Sequence, residues 1–151
     1  YFNHRRDEYG GSLENRMRFM TLCVEEAVKA AAGDIAVICK MNMRDGLKKG
    51  ISIEQHSLPV ARRLQELGVH ALVLSGGLVS ATPMYVMRGE MPIRTMTHYM
   101  DKAWLKYGVR ACGKMMVPTV PYEEAFFLED ALKFRKAMPD MKFIYVGGLV
   151  A

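Results

Sequence analysis

Three short apolar runs in this sequence each end in residues suited to meeting a ligand. Ile35 to Met41 carries Lys40 near its end, Val69 to Leu74 runs into Ser75-Gly76-Gly77, and Phe143 to Val146 runs into Gly147-Gly148. Glycine has no Cβ, so a glycine turn lets a ligand approach the backbone closely, and a lysine beside such turns adds a positive charge. Together they suit the holding of a polar or anionic ligand. Each also has a plainer reading, because a lysine ending an apolar strand can snorkel into water and a glycine pair can simply turn the chain. Metal chemistry has no comparable support, since His4, His56, His70 and His98 are scattered with no partner at ligand spacing. Cys23, Cys39 and Cys112 form no Cys-x-x-Cys pair and suggest reduced, buried thiols of a cytoplasmic protein.

The elements that must position these residues can be read from capping signals and periodicity. Gly10-Gly11-Ser12 supplies a turn and an N-cap, Glu14 lies in the first turn, and Met17, Met20, Val24, Ala27, Val28 and Ala31 recur at helical spacing. The pattern predicts a helix from Leu13 to Ala32 with Gly33 as a left-handed cap. The run Ile35 to Met41 is too apolar to alternate and reads as a strand buried on both faces. Ser52 and Gln55 have the spacing of a capping box opening a helix that ends at Gly68, and the strand Val69 to Leu74 follows. Residues 78–121 read as a long loop insertion with short helical pieces, carrying Trp104, Tyr85, Tyr99 and Tyr107 where they would cover a site. A last helix, Tyr122 to Met138, ends at Pro139 and leads to the strand Phe143 to Val146.

This repeated helix–strand alternation predicts an α/β fold with parallel strands. Ligands of such sheets bind beyond the carboxyl ends of the strands, where Lys40 and the two glycine turns fall. A closed eight-stranded barrel takes roughly 250 residues, so 151 residues hold only some of its units. The chain begins with Tyr1 rather than Met and stops at Ala151 in an element junction, so both ends read as cut.

Composition narrows the function classes. Half of the residues are hydrophobic and a quarter charged, which excludes disorder and disulfide scaffolds. Twenty-one Lys and Arg against sixteen Asp and Glu give a net charge of +5, spread through the helices rather than along one stripe, so nucleic-acid binding has no support. No apolar run approaches the roughly 18 residues of a membrane span, and Arg5, Arg6 and Asp7 occupy the place of a signal peptide's apolar core. The thirteen methionines read as core filler.

The stretch Asn3 to Phe19, NHRRDEYGGSLENRMRF, resembles the N-x-R-x-D-x-Y-G-G-S-x-E-N-R-x-R-F signature of the old yellow enzyme family at every fixed position. These are the NADH:flavin oxidoreductases, which include the barrel domain of bacterial 2,4-dienoyl-CoA reductases. The likeness continues through Lys40, Ser75-Gly76-Gly77 and Val146-Gly147-Gly148 and covers essentially the whole chain. It implies a partial TIM (β/α)8 barrel, roughly units 4 to 7, with FMN as cofactor and NADH or NADPH as hydride donor. The acceptor would be a small molecule, an activated alkene or enoyl thioester. By the same resemblance, Lys40 lies beside the flavin N1 and C2 carbonyl, where a cation stabilises the reduced ring. Gly147 and Gly148 offer backbone N–H groups to the FMN phosphate, and Ser75, Gly76 and Gly77 either line the pocket over the flavin or turn the chain.

The family's proton-donating Tyr is expected upstream of Tyr1, so no catalytic residue is assigned, and part of the phosphate site is expected beyond Ala151. Tyr9 belongs to the Tyr-Gly-Gly turn and reads as structural, with Arg5, Asp7, Glu14, Asn15 and Arg16 as a polar network holding it. Two other readings stand beside the enzyme: a catalytically incomplete barrel fragment with exposed edges, and another FMN barrel chemistry such as dihydroorotate or dihydrouridine conversion, against which the signature argues. Association into a homo-oligomer, NADH against NADPH, and a downstream iron–sulfur module are left open.

Overall fold

A computed structural model describes residues 3–116 and 119–149 of the chain. Helix α1, Leu13–Ala31, leads to strand β1, Ile38–Asn42; a π-helical turn, Ile53–Ser57, runs into α2, Leu58–Glu66, and then β2, Ala71–Ser75. Helices α3, Pro83–Met87, α4, Ile93–His98, and α5, Ala103–Met116, follow, before α6, Leu128–Ala137, and β3, Lys142–Tyr145. The sheet has the order β1-β2-β3, parallel throughout, with Lys40 opposite Val73 and Val73 opposite Ile144.

The sequence signals account for most of these boundaries. Ser12 caps α1 through its hydroxyl, which accepts from the Asn15 N–H. At the other end Ala32, with φ 50°, takes the left-handed position expected at Gly33, and Gly33 continues the turn with φ 87°. The capping box does not form. Ser52 makes no side-chain cap; its N–H donates to Nδ1 of His56, and its hydroxyl lies 3.0 Å from the same atom. The buried Ser57 hydroxyl donates to the Met43 carbonyl while the Ser57 N–H reaches back to Ser52 O, which widens the turn into a π-helix.

The last helix is shorter than its periodicity suggests. Ala125 sits at φ 53° with its N–H donating to the Gly148 carbonyl, so the chain before Leu128 is tied to the end of β3 instead of helical. Within 78–121, two of the helical pieces are short, but α5 runs for 14 residues.

The core lies between the sheet and the helices. Leu72, Leu74, Ile53, Ala61 and Phe134 are completely buried, with Met43, Leu64, Phe127, Met138 and Met141 around them. Burying a side chain such as Phe134 contributes about 1.5–3 kcal/mol. Strand parity assigns Cys39, Met41, Leu72, Leu74, Phe143 and Tyr145 to this face. The opposite face holds Ile38, Lys40, Val73, Lys142 and Ile144, and Ile38 is 50% and Ile144 43% exposed. The expectation of a strand buried on both faces is therefore corrected for β1, whose second face is exposed at Ile38 and Lys40, while β2 is buried on both, with Ala71 and Ser75 buried on that same face. The thiols differ too: Cys23 and Cys112 are exposed, and only Cys39 is partly buried, enough for desolvation to raise its pKa.

Candidate functional site at the strand ends

The signature segment folds as a polar turn in front of α1. Arg5 pairs with Asp7, whose carboxylate also accepts from the Tyr9 N–H; Asn3 donates to the Tyr9 carbonyl, and the Arg5 guanidinium lies over the Tyr9 ring. The hydrogen bond and charge of Arg5 hold the Asp7 carboxyl down at about 2. Arg18, absent from the expected network, closes the turn by donating to the Glu8 carbonyl and the Asn15 side chain. A Cβ on Gly10 would lie 2.0 Å from the Arg5 carbonyl oxygen, so only glycine fits there. Tyr9 thus takes part in shaping this turn.

Lys40 stands on the open face of β1, exposed, and makes no ion pair among the described residues. Ser75, buried between the strands, lies on that same face at the end of β2 opposite Asn42. Strands about 4.8 Å apart and a rise of about 3.3 Å per residue place the Lys40 Cα roughly 14 Å from that of Gly147, two strands across and three residues further along. One elongated ligand could meet both.

The structure brings the two glycine turns together through aromatic side chains. A Cβ on Gly76 would lie 2.7 Å, and one on Gly147 2.9 Å, from the ring of Phe127, while one on Gly148 would lie 2.7 Å from Phe126. A Cβ on Gly77, where φ is 81°, would lie 2.1 Å from the Val86 side chain. Packing against α3 and the Phe126-Phe127 pair therefore requires glycine at these sites independently of any ligand. The carbonyls of the second turn are anchored: Gly147 O accepts from the Tyr145 hydroxyl at 2.6 Å, and Gly148 O accepts from the Tyr122 hydroxyl and the Ala125 N–H. No hydrogen bond among the described residues uses the Gly147 or Gly148 N–H.

Several residues that brace this rim carry little sequence signal. Asn42 donates to the Gly77 carbonyl at 2.7 Å, and the Gly77 N–H donates to the Arg44 carbonyl at 2.7 Å. Arg44 bonds Asp130 of α6 at 2.9 Å, and Lys133 shares that carboxylate. Asp45, 5% exposed, accepts from the Leu47 and Ile51 N–H groups, and its own carbonyl accepts from the Thr82 hydroxyl. The polar run after β1 was visible in the sequence, but its partners are up to 86 residues away. Tyr85 packs on Phe127 with ring centroids 5.5 Å apart, and burial, reinforced by Asp130, raises its pKa, so its hydroxyl stays protonated. Tyr99, Trp104 and Tyr107 are exposed. No metal-ligating cluster occurs among the described residues, and none of their helices is long and apolar enough to cross a membrane.

Comparison with known proteins adds to this geometry. The family model described as the NADH:flavin oxidoreductase / NADH oxidase family matches residues 1–118. The chain is 38% identical over 148 residues to a 4,4'-dithiodibutanoate disulfide reductase of Rhodococcus erythropolis, an alignment covering 97% of this chain and 36% of that protein. It is 34% identical over 87 residues to an NADPH dehydrogenase of Bacillus subtilis, covering 58% of this chain and 25% of that protein. It is also 46% identical over 48 residues to a cinnamate reductase of Clostridium sporogenes, covering 32% and 7%. The chain thus spans about a third of the first relative's length and less of the other two.

Proposed function

Because the chain belongs to the NADH:flavin oxidoreductase / NADH oxidase family, we propose that it forms the middle of an FMN-binding (β/α)8 barrel, roughly units 4 to 7, in an oxidoreductase acting on an activated alkene. The observation carrying this reading is the placement of Lys40 on the open face of a parallel sheet, facing the same side as Ser75 and near the strands' carboxyl ends. In a barrel that face points inward, and the carboxyl-terminal rim holds the ligand.

The residues present fit FMN. Lys40 supplies a cation that no protein carboxylate neutralises among the described residues, and the Gly147 and Gly148 amides are uncommitted there while their carbonyls are fixed. FMN, when bound, accepts a hydride equivalent from NADH or NADPH and passes it to the acceptor. Lys40 would hold the ring's N1 and C2 carbonyl side by charge, Gly147 and Gly148 would donate to the phosphate, and Ser75, Gly76 and Gly77 would form the wall between them. Asn42 and Arg44 keep that wall in register by their bonds to Gly77.

The similarity to a cinnamate reductase supports the alkene as acceptor. A disulfide is the second reading, favoured by the longer likeness to a disulfide reductase. Purified full-length protein is expected to be yellow, to be reduced by NADH or NADPH, and to be reoxidised by an activated alkene. Colourless protein that takes up no FMN on reconstitution refutes the cofactor assignment, and reoxidation by a disulfide but by no alkene selects the second acceptor.

A further inference from the structure

We propose that Arg88 is an oxyanion-binding residue of the carboxyl-terminal rim, recognising a carboxylate on the acceptor. The proposal rests on the reading of that rim as the ligand-binding end. Arg88 follows α3 and holds φ 55°, a left-handed backbone that non-glycine residues adopt at a cost. The next residue pins it there: Gly89, φ 75°, exchanges two backbone hydrogen bonds with Val120. The Arg88 backbone is consequently held in place before any ligand arrives, and the surrounding rings position its side chain.

Its guanidinium lies 4.2 Å above the Phe126 ring, 5.4 Å from the centroid of Tyr85 and 5.8 Å from that of Phe127. Phe127 and Phe126 are the rings seated against the Gly76, Gly147 and Gly148 turns, so a single layer of rings separates the cation from the turns after β2 and β3. Nε is buried with no hydrogen-bond partner, and no carboxylate pairs with Arg88 among the described residues. Glu90, two residues along, pairs with Lys114, and Asp130, which acts on the Tyr85 beside Arg88, pairs with Arg44 and Lys133. Aromatic faces stabilise a cation but accept none of its directed hydrogen bonds. A partly desolvated guanidinium without a counter-charge is costly unless an anion completes it, and its planar fork matches a carboxylate. The anion that this position lacks is therefore assigned to the molecule bound at the rim.

The test uses the full-length protein, wild type, R88Q and R88K, titrated calorimetrically with crotonate and with crotonamide, which share shape but differ in charge, each with and without FMN. Wild type is expected to favour crotonate by about 10- to 100-fold, the range of a charged hydrogen bond. R88Q should abolish the preference by weakening crotonate alone, and R88K should retain part of it. Equal binding of the two probes by wild type, or an unchanged preference in R88Q, overturns the proposal. A raised FMN dissociation constant in R88Q with the crotonate preference intact also overturns it, by moving the oxyanion to the cofactor's phosphate. Should R88Q not fold, R88K alone decides, since full retention of the wild-type preference excludes the fork geometry. Because the probes are also titrated without FMN, failure of the flavin assignment is read separately.

Discussion

Replacing Lys40 by Met offers the most direct measurement of what the open sheet face does. Lys40 is exposed and has no ion-pair partner among the described residues, so its charge is available to a bound ring. At an effective dielectric constant of about 20 and a separation of about 5 Å, opposite unit charges attract by about 3 kcal/mol, and contact with water roughly halves this. In the proposed site the attraction acts on the reduced, anionic ring more than on the oxidised one, so K40M should disfavour reduction by about 1.5 kcal/mol. For a two-electron couple this lowers the FMN midpoint potential by about 30 mV. Spectroelectrochemistry of the full-length protein, or equilibration with a reference dye, measures the shift, and K40R should keep the potential near the wild-type value. K40M that binds FMN and shows a potential indistinguishable from wild type refutes the assignment of Lys40 to the flavin.

Other expectations follow from single contacts. Gly148→Ala forces a Cβ into the Phe126 ring at φ 68°, which should cost about 1–3 kcal/mol of stability and weaken FMN binding, as measured by thermal melting and flavin titration. Phe134→Ala, at a completely buried position, should destabilise by about 3–5 kcal/mol in urea unfolding. Asp45→Ala leaves the Leu47 and Ile51 N–H groups without their acceptor and should cost about 1–3 kcal/mol in the same assay. Asp7 should titrate at about 2 by NMR because Arg5 favours its charged form. Its folded pKa is depressed, so the contribution of this pair is complete above the ordinary carboxylate range and is lost as pH falls through about 2. Arg5→Gln should return the midpoint toward 3.8.

The sequence revealed the layout of this fold where local signals agree with packing. The Ser12 cap and the methionine and valine stripe fix α1 almost to the residue, and the apolar runs before Ser75 and Gly147 mark β2 and β3 within a residue or two. Local signals failed where another partner, near or distant, outweighed them. His56 takes Ser52 away from capping, and the Gly148 carbonyl holds Ala125 out of the helix that Tyr122 to Met138 would otherwise continue. The apolar character of β1 did not disclose its open face, because a strand facing a sheet interior on one side and a helix layer on the other has the same composition.

Lys40 and the glycine turns were legible as candidates, since charge and missing side chains show in the chain itself. The bracing of those turns was not. Arg44 with Asp130, Thr82 with Asp45, and Phe127 beneath Gly76 and Gly147 are contacts between segments far apart in the chain. Arg88 was equally silent, because a cation's isolation is a property of its surroundings and not of its neighbours in sequence.

One ring, Phe127, touches the turns after both β2 and β3. Those turns cannot drift independently: any change that displaces the ring alters both rim segments together, and enlarging either glycine disturbs the other turn through it. The exposed side chains of Tyr99, Trp104 and Tyr107 lie away from that ring, on or beside helices held to each other by the bond from Arg110 to the buried Thr97. A substitution at one of those exposed rings is therefore expected to leave the two glycine turns in place, whereas one at Phe127 moves both.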